Sequence, residues 1–161
     1  MLMNFELSLA HAAKTTTTTM ERLLLEREQV SVVDDQVGSP TFAGFVAEAV
    51  APLVAAAGRS RSGTADWLRR NGGTFHMTGP GSTSWYGFAC VIRDALIRSG
   101  RATARVVPVP TTAFPRPARR PVNSRLSSDL LRRRLGVELP HWERQLDACL
   151  AARLTAAVPG A

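Results

Sequence analysis

The chain has 161 residues, 45% of them apolar, and carries a net charge of +7. That length supports one domain with a real core, and no run of eighteen apolar residues exists to span a bilayer. Cys90 and Cys149 lie far apart in no motif and read as buried or reduced thiols. The start, MLMNFELSLAHAAK, sets Glu6 where a secretion leader needs a clean apolar core, and no basic residue precedes it. Together these features favour a cytoplasmic protein. The charge is uneven: residues 1–50 carry net −4, residues 51–100 net +4 and residues 101–161 net +7. Nineteen of the twenty basic residues are arginine, Lys14 being the exception. A basic C-terminal third points to nucleic acid or to a partner carrying phosphate.

In chain order, residues 4–28 read as helical. MERLLLERE (20–28) places Met20, Leu23 and Leu24 on one face. The TTTTT run at 15–19 is expected to be frayed or irregular, because the branched threonine carbon restricts χ1. VSVV (30–33) reads as a short buried strand. DDQVGSPT (34–41) follows as a turn, with Thr41 as N-cap. Phe42, Phe45, Val46, Ala49, Val50 and Leu53 then repeat at helical spacing to about residue 57, and Pro52 is expected to bend the helix or end it early. GRSRSG (58–63) is a polar linker, and ADWLRR a short helical turn. GTFHMTG (73–79) reads as a strand and GPGSTS (79–84) as a turn. Trp85, Phe88, Ala89, Ile92 and Leu96 mark one helical face, ended by Gly100. ARVVPVP (104–110) is a third strand, confined by its prolines to an edge or a strand terminus. SSDLLRRRLG (127–136) is a short helix capped by Ser127 or Ser128 and stopped by Gly136. ELPHWERQLDACLAARL (138–154) is a last helix, with Pro140 near its first position and Trp142, Leu146, Leu150 and Leu154 on one face.

The catalytic signals are incomplete. GPGSTSWYG approaches G-x-G-x-x-G, but Ser84 stands at the third glycine. With one lysine there is no G-x-x-x-x-G-K-[ST]. The single tyrosine, Tyr86, has Cys90 four residues on, so Y-x-x-x-K is absent as well. His11, His76 and His141 are too scattered for a metal site. Asp34 and Asp35, adjacent in an extended segment, point to opposite faces and form no acid/base dyad. The strongest positive signal is FPRPARRPVNSR (114–125), four arginines among three prolines. Proline stiffens this loop, and each guanidinium offers a planar fork for phosphate oxygens.

Three stretches carry a resemblance: VSVVDDQVGSPTFAGFVAEAV, GTFHMTGPGSTSWYGFACVIRDAL and VPTTAFPRPARRPVNSRLSSDLLRRRLGVELPHWERQLDACL. In this order they resemble the C-terminal half of the dTDP-4-dehydrorhamnose reductases, extended short-chain dehydrogenase/reductases, over roughly residues 20–151. The resemblance implies an α/β fold: the C-terminal remnant of a Rossmann-type NAD(P)-binding fold with a small α/β substrate-binding lobe. It implies an atypical segment at 1–19, the reductase-like domain at 20–155 and a tail at 156–161. The family are oxidoreductases that use NADPH or NADH to reduce dTDP-4-dehydro-6-deoxy-L-mannose to dTDP-L-rhamnose, for cell-surface polysaccharide. Their glycine loop and Y-x-x-x-K pair have no counterpart in this chain. It therefore reads as a truncated reductase, inactive alone, with no catalytic, cofactor or metal residue to assign. The resemblance does imply substrate-binding candidates. Gln36, Gly38, Pro40 and Thr41 match the strand-end turn, and Arg119, Arg120, Pro121, Asn123 and Ser124 match the proline/arginine loop. Trp85 matches the aromatic that opens the lobe helix and is read as a packing residue.

The expected ligand is a dTDP-sugar, bound weakly, with no cofactor bound by this chain alone. A second reading is a non-catalytic binding or regulatory subunit, meeting a protein partner or itself through the face left by the missing Rossmann half. A third and least favoured reading is a nucleic-acid binder, resting on a pI of about 11.1. The arginines do not interleave with aromatics as such a surface would require.

Overall fold

The computed structural model describes residues 16–115, 117, 118 and 120–156, the last three by backbone alone. The chain divides into two compact units, one of Met1–Gly38 with Ser82–Arg125, the other of Ser39–Gly81 with Leu126–Ala161.

The first unit is α/β. Helix α1 (Thr16–Glu26) leads into strand β1 (Gln29–Val33), and a two-residue strand β2 (Val37–Gly38) follows. After the other unit's first segment come β3 (Thr83–Ser84), α4 (Trp85–Arg98) and β4 (Arg105–Val109). The two helices between them, α2 (Ala43–Gly58) and α3 (Thr64–Asn71), belong to the second unit. β1 and β4 pair in parallel, Val30 beside Val106 and Val32 beside Pro108, while β2 and β3 pair antiparallel. Along β1 the alternate residues Val30 and Val32 are buried and Gln29 and Ser31 exposed. The strand thus covers its core on one face, not on both. Phe88, Ala89, Ile92 and Leu96 of α4 and Leu24 of α1 complete the apolar set of this unit. The proline-bearing strand β4 takes the position its sequence requires, at the end of its sheet.

The threonine run departs from the sequence expectation. Thr16–Thr19 form the first turn of α1, and Thr17 is buried. A weak propensity of a few tenths of a kcal/mol per residue yields to the burial of this face.

The second unit is helical. α2 and α3 are joined there by α5 (Asp129–Leu135) and α6 (Trp142–Ala156) around Ala57, Leu131, Leu139, Trp142, Leu146 and Leu150. Three expectations are corrected here, and a fourth is narrowed. Pro52, expected to bend α2 or end it early, does not end it: α2 continues to Gly58. The residue is exposed, so the carbonyl freed four residues earlier can turn to water. Phe42, not Thr41, is the N-cap of α2. Its amide donates at 2.9 Å to Oε1 of Gln145, the bond that the Glu or Gln of a capping box makes to the N-cap amide. Residues 74–79 form no strand. Their Thr78 pairs with a side chain instead: its amide donates to Ser128 Oγ at 2.9 Å, and that hydroxyl donates back to the Thr78 carbonyl at 2.9 Å. Finally, α6 starts at Trp142, so Pro140 precedes the helix, where its carbonyl accepts Gln145 Nε2 at 2.7 Å. The stop at Gly136 is as expected, with φ +65°.

Candidate functional site

The carboxyl end of β1 and the proline/arginine loop meet within the first unit. Val37 N–H donates to the Val122 carbonyl at 2.8 Å, and Ser124 N–H returns a bond to the Val37 carbonyl at 2.9 Å. Val37 and Asn123 thereby make a parallel bridge. Ser124 Oγ lies so close to Gly38 that a Cβ there would sit 2.8 Å from it. Of the sequence candidates, Gln36, Gly38, Asn123 and Ser124 are thus brought together. Asn123 turns its Oδ1 onto Arg125, accepting from the backbone amide at 3.1 Å and from Nε at 2.9 Å. This fixes the Arg125 guanidinium along the loop. Arg119 and Arg116 lie outside the described residues. Pro40 and Thr41 fall in the second unit, where Thr41 Oγ1 donates to the Ser39 carbonyl at 3.2 Å.

The two aspartates after β1 are divided between partners. Asp34 accepts from Ser84 Oγ at 2.5 Å, and the same hydroxyl caps α4 by accepting from Gly87 N at 3.0 Å. Asp35 receives the Thr111 amide on both oxygens at 3.0 Å and the Thr111 hydroxyl as well. Those bonds, the hydroxyl first and the amide second, hold the Asp35 carboxyl below its ordinary range. Gln36, 8% exposed, donates Nε2 to Thr111 Oγ1 at 2.9 Å. A short 3-10 turn (Thr111–Ala113), which sequence reasoning missed, is the anchor for both residues.

A concavity of about 810 Å³ opens beside this junction. Gln36, Trp85, Thr111, Phe114, Pro117 and Arg120 line one part of it, and Met20 and Leu23 of α1 another. Its surface is mostly apolar, with Arg120 as the cation. No ion pair with Arg120 occurs among the described residues, so its guanidinium fork is open to an anionic ligand.

The single tyrosine, Tyr86, has no lysine four residues on. The Tyr86 phenol is pushed up, first by its hydrogen bond with Cys90 and then by the charge of that thiol. A tyrosine acid/base near neutral pH needs the opposite shift. Nor do the glycines of GPGSTS form a pyrophosphate cradle. A Cβ on Gly79 would meet Gln145 Nε2 at 2.0 Å and the Pro140 carbonyl oxygen at 2.4 Å, and one on Gly81 would meet His141 Nε2 at 2.1 Å. Side chains and backbone thus crowd both glycines of this loop. Among the described residues no cluster of His, Cys, Asp and Glu could hold a metal ion, and no helix is long and apolar enough to cross a membrane.

Comparison with known proteins agrees on one family. The pattern of the RmlD substrate binding domain matches residues 7–155. The dTDP-4-dehydrorhamnose reductase of Burkholderia thailandensis is 44% identical over 140 residues, which cover 82% of this chain and 44% of that protein. The Escherichia coli K12 protein of the same name is 35% identical over 127 residues, covering 78% of this chain and 40% of its own length. Among solved structures, a Clostridium acetobutylicum dTDP-4-dehydrorhamnose reductase superposes with a TM-score of 0.70 at 31% identity, covering 86% of this chain and 44% of its own. A Bacillus anthracis reductase solved in complex with NADP gives 0.68 at 31% identity, covering 85% and 43%. The chain therefore spans less than half the length of each of these relatives.

Proposed function

The chain belongs to the RmlD substrate-binding domain family, that of the dTDP-4-dehydrorhamnose reductases, and from that membership we propose that it supplies the nucleotide-sugar side of such a reductase. The observation that carries this reading is the junction of Val37 and Gly38 with Val122–Ser124, which sets Gln36 and Arg120 on one concavity. In this reading Arg120 grips a diphosphate oxygen through its fork. The Gln36 amide, held by Thr111, orients a neighbouring polar group. Trp85 and Phe114 supply apolar wall. In this reading the chain does not itself transfer the hydride: the family reaction needs a nicotinamide cofactor, and the sequence has no Tyr-x-x-x-Lys pair.

Isothermal titration of the purified chain with dTDP tests the binding role. Weak saturable binding is expected, in the millimolar range set by a few charge-assisted bonds (~4 kcal/mol). Arg120→Ala should weaken it about tenfold or more. Unchanged affinity in that variant removes Arg120 from the site. In parallel, the chain alone should oxidise no NADPH in the presence of dTDP-4-dehydro-6-deoxy-L-mannose. Turnover by the chain alone would overturn the division of labour proposed.

A further inference from the structure

A hydrogen-bond relay follows β1, and its end groups fix its direction. Asp35 accepts the Thr111 amide on both oxygens at 3.0 Å and the Thr111 hydroxyl on Oδ1 at 2.5 Å. An ionised carboxylate only accepts, and a threonine hydroxyl has one proton to give. With that proton committed to Asp35, Thr111 Oγ1 can only accept from its other neighbour. That neighbour is Gln36, whose Nε2 lies 2.9 Å away. The relay therefore runs from Gln36 through Thr111 to Asp35. The charge on Asp35 decides which end of the Gln36 amide turns to Thr111. The Thr111 hydroxyl and amide in turn hold the Asp35 carboxyl below its ordinary range, so the charge is present at neutral pH.

The consequence falls on Gln36 Oε1. Gln36 is 8% exposed and lines the concavity. Its Oε1 has no hydrogen-bond partner among the described residues, and no buried side-chain oxygen there is left unpaired. The oxygen thus keeps an open face where Gln36 borders the concavity. Arg120, on the same concavity, offers donors and no acceptor. A ligand group brought against Gln36 displaces water from Oε1 and must replace its hydrogen bond. A site of this kind rejects an analogue that lacks the donor.

We propose that Gln36 Oε1 is a fixed acceptor that selects a ligand hydroxyl or imide N–H, and that Asp35 is the positioning residue that sets its direction through Thr111. This deepens the nucleotide-sugar reading given above and rests on it. A dTDP-sugar carries both kinds of donor, the imide N–H on its thymine and hydroxyls on its sugars.

The test is NMR titration of the isotope-labelled chain with dTDP and with dTDP-L-rhamnose, well below Tm, with circular dichroism confirming the fold of each variant. Gln36→Met keeps the length of the side chain and removes the acceptor. It should weaken binding of at least one ligand about fivefold. Equal weakening for both ligands puts the donor on the nucleotide, and weakening confined to dTDP-L-rhamnose puts it on the added sugar. Asp35→Asn and Thr111→Val should each weaken the same ligand about threefold, and Thr111→Ser should keep wild-type affinity. In the Gln36→Met background Asp35→Asn should add nothing, which a merely structural role would not produce. The Gln36 side-chain amide signals of the free chain should shift in Asp35→Asn and Thr111→Val and stay in place in Thr111→Ser. Should Asp35→Asn fail to fold, the Thr111 pair decides. Three results would overturn the proposal: a Gln36→Met variant that binds both ligands as the wild type does, an Asp35→Asn effect that persists in full without Gln36, or amide signals that do not move. The first of these, with Arg120→Ala still weakening dTDP, leaves the nucleotide-sugar reading standing. A wild-type chain that binds neither ligand overturns that reading and this proposal together.

Discussion

Gly79 and Gly38 look alike in sequence, each a glycine near a serine and a proline, yet their neighbours predict different costs. A Cβ on Gly38 meets one serine hydroxyl, which can rotate away at the loss of its 3.2 Å bond to the Val37 carbonyl. Gly38→Ala should cost about 1 kcal/mol. A Cβ on Gly79 meets the backbone carbonyl of Pro140 and the amide of Gln145, which is 1% exposed. Neither can yield without breaking the bonds that cap α2, so Gly79→Ala should cost about 3 kcal/mol. Urea denaturation of the two variants checks the order. Asp35 offers a pH signature. Its folded pKa is lowered from 3.8, chiefly by Thr111, so its contribution to stability is present above that value and is lost as pH falls through the folded pKa. Asp35→Asn should therefore lower Tm at pH 7 and match the wild type once pH has fallen below the folded pKa. Equal Tm values at pH 7 would show that the carboxylate bonds add nothing. Gln36 and Gly38 were legible as site candidates because the turn motif is specific. Gln145 was missed, although a signal existed: it is the polar member of the stripe formed by Trp142, Leu146 and Leu150.

At the scale of elements, apolar periodicity located β1, α4 and β4 within a residue or two, since each buries one face on a shared core. It failed where a tertiary partner replaced a local one. Residues 73–79 have strand composition, but a strand needs a ladder, and Ser128 satisfies Thr78 instead. The threonine run is helical because Thr17 and Leu24 are buried. Pro52 is the sharpest element-scale test. It sits inside α2 and is exposed, so Pro52→Ala restores an N–H donor and relieves the ring without altering the core. A gain of about 1–3 kcal/mol is expected in thermal or urea unfolding. No gain would mean that the unfolded chain's loss of a proline offsets it.

For the whole molecule, the net charge of +7 stands alongside five arginines held in local ion pairs. Arg22 pairs with Glu26, Arg69 and Arg70 with Asp66, Arg93 with Asp94, and Arg132 with Asp129. The sheet states the larger constraint. Among the described residues the parallel sheet has two strands, β1 and β4, and Pro108 of β4 has no N–H to offer a further strand. The division of the chain into an α/β unit and a helical unit separates the strand-end turn at Gly38 and Ser39. It leaves Gln36 and Gly38 with the arginine loop, and Pro40 and Thr41 with the helices.

Sequence alone determined the family resemblance, the order of helices and strands, the missing Tyr-x-x-x-Lys pair and the arginine-rich loop, because each is a matter of residue type at fixed spacing. Tertiary structure decided which candidates meet. Val37 is stitched to Val122 and Ser124 across more than eighty positions. Gln145 caps a helix 103 residues away. The register that sets Val30 beside Val106 and Val32 beside Pro108 joins strands about 76 positions apart. Backbone direction and long-range hydrogen bonds leave no periodic trace in a chain, so only the folded arrangement could supply them.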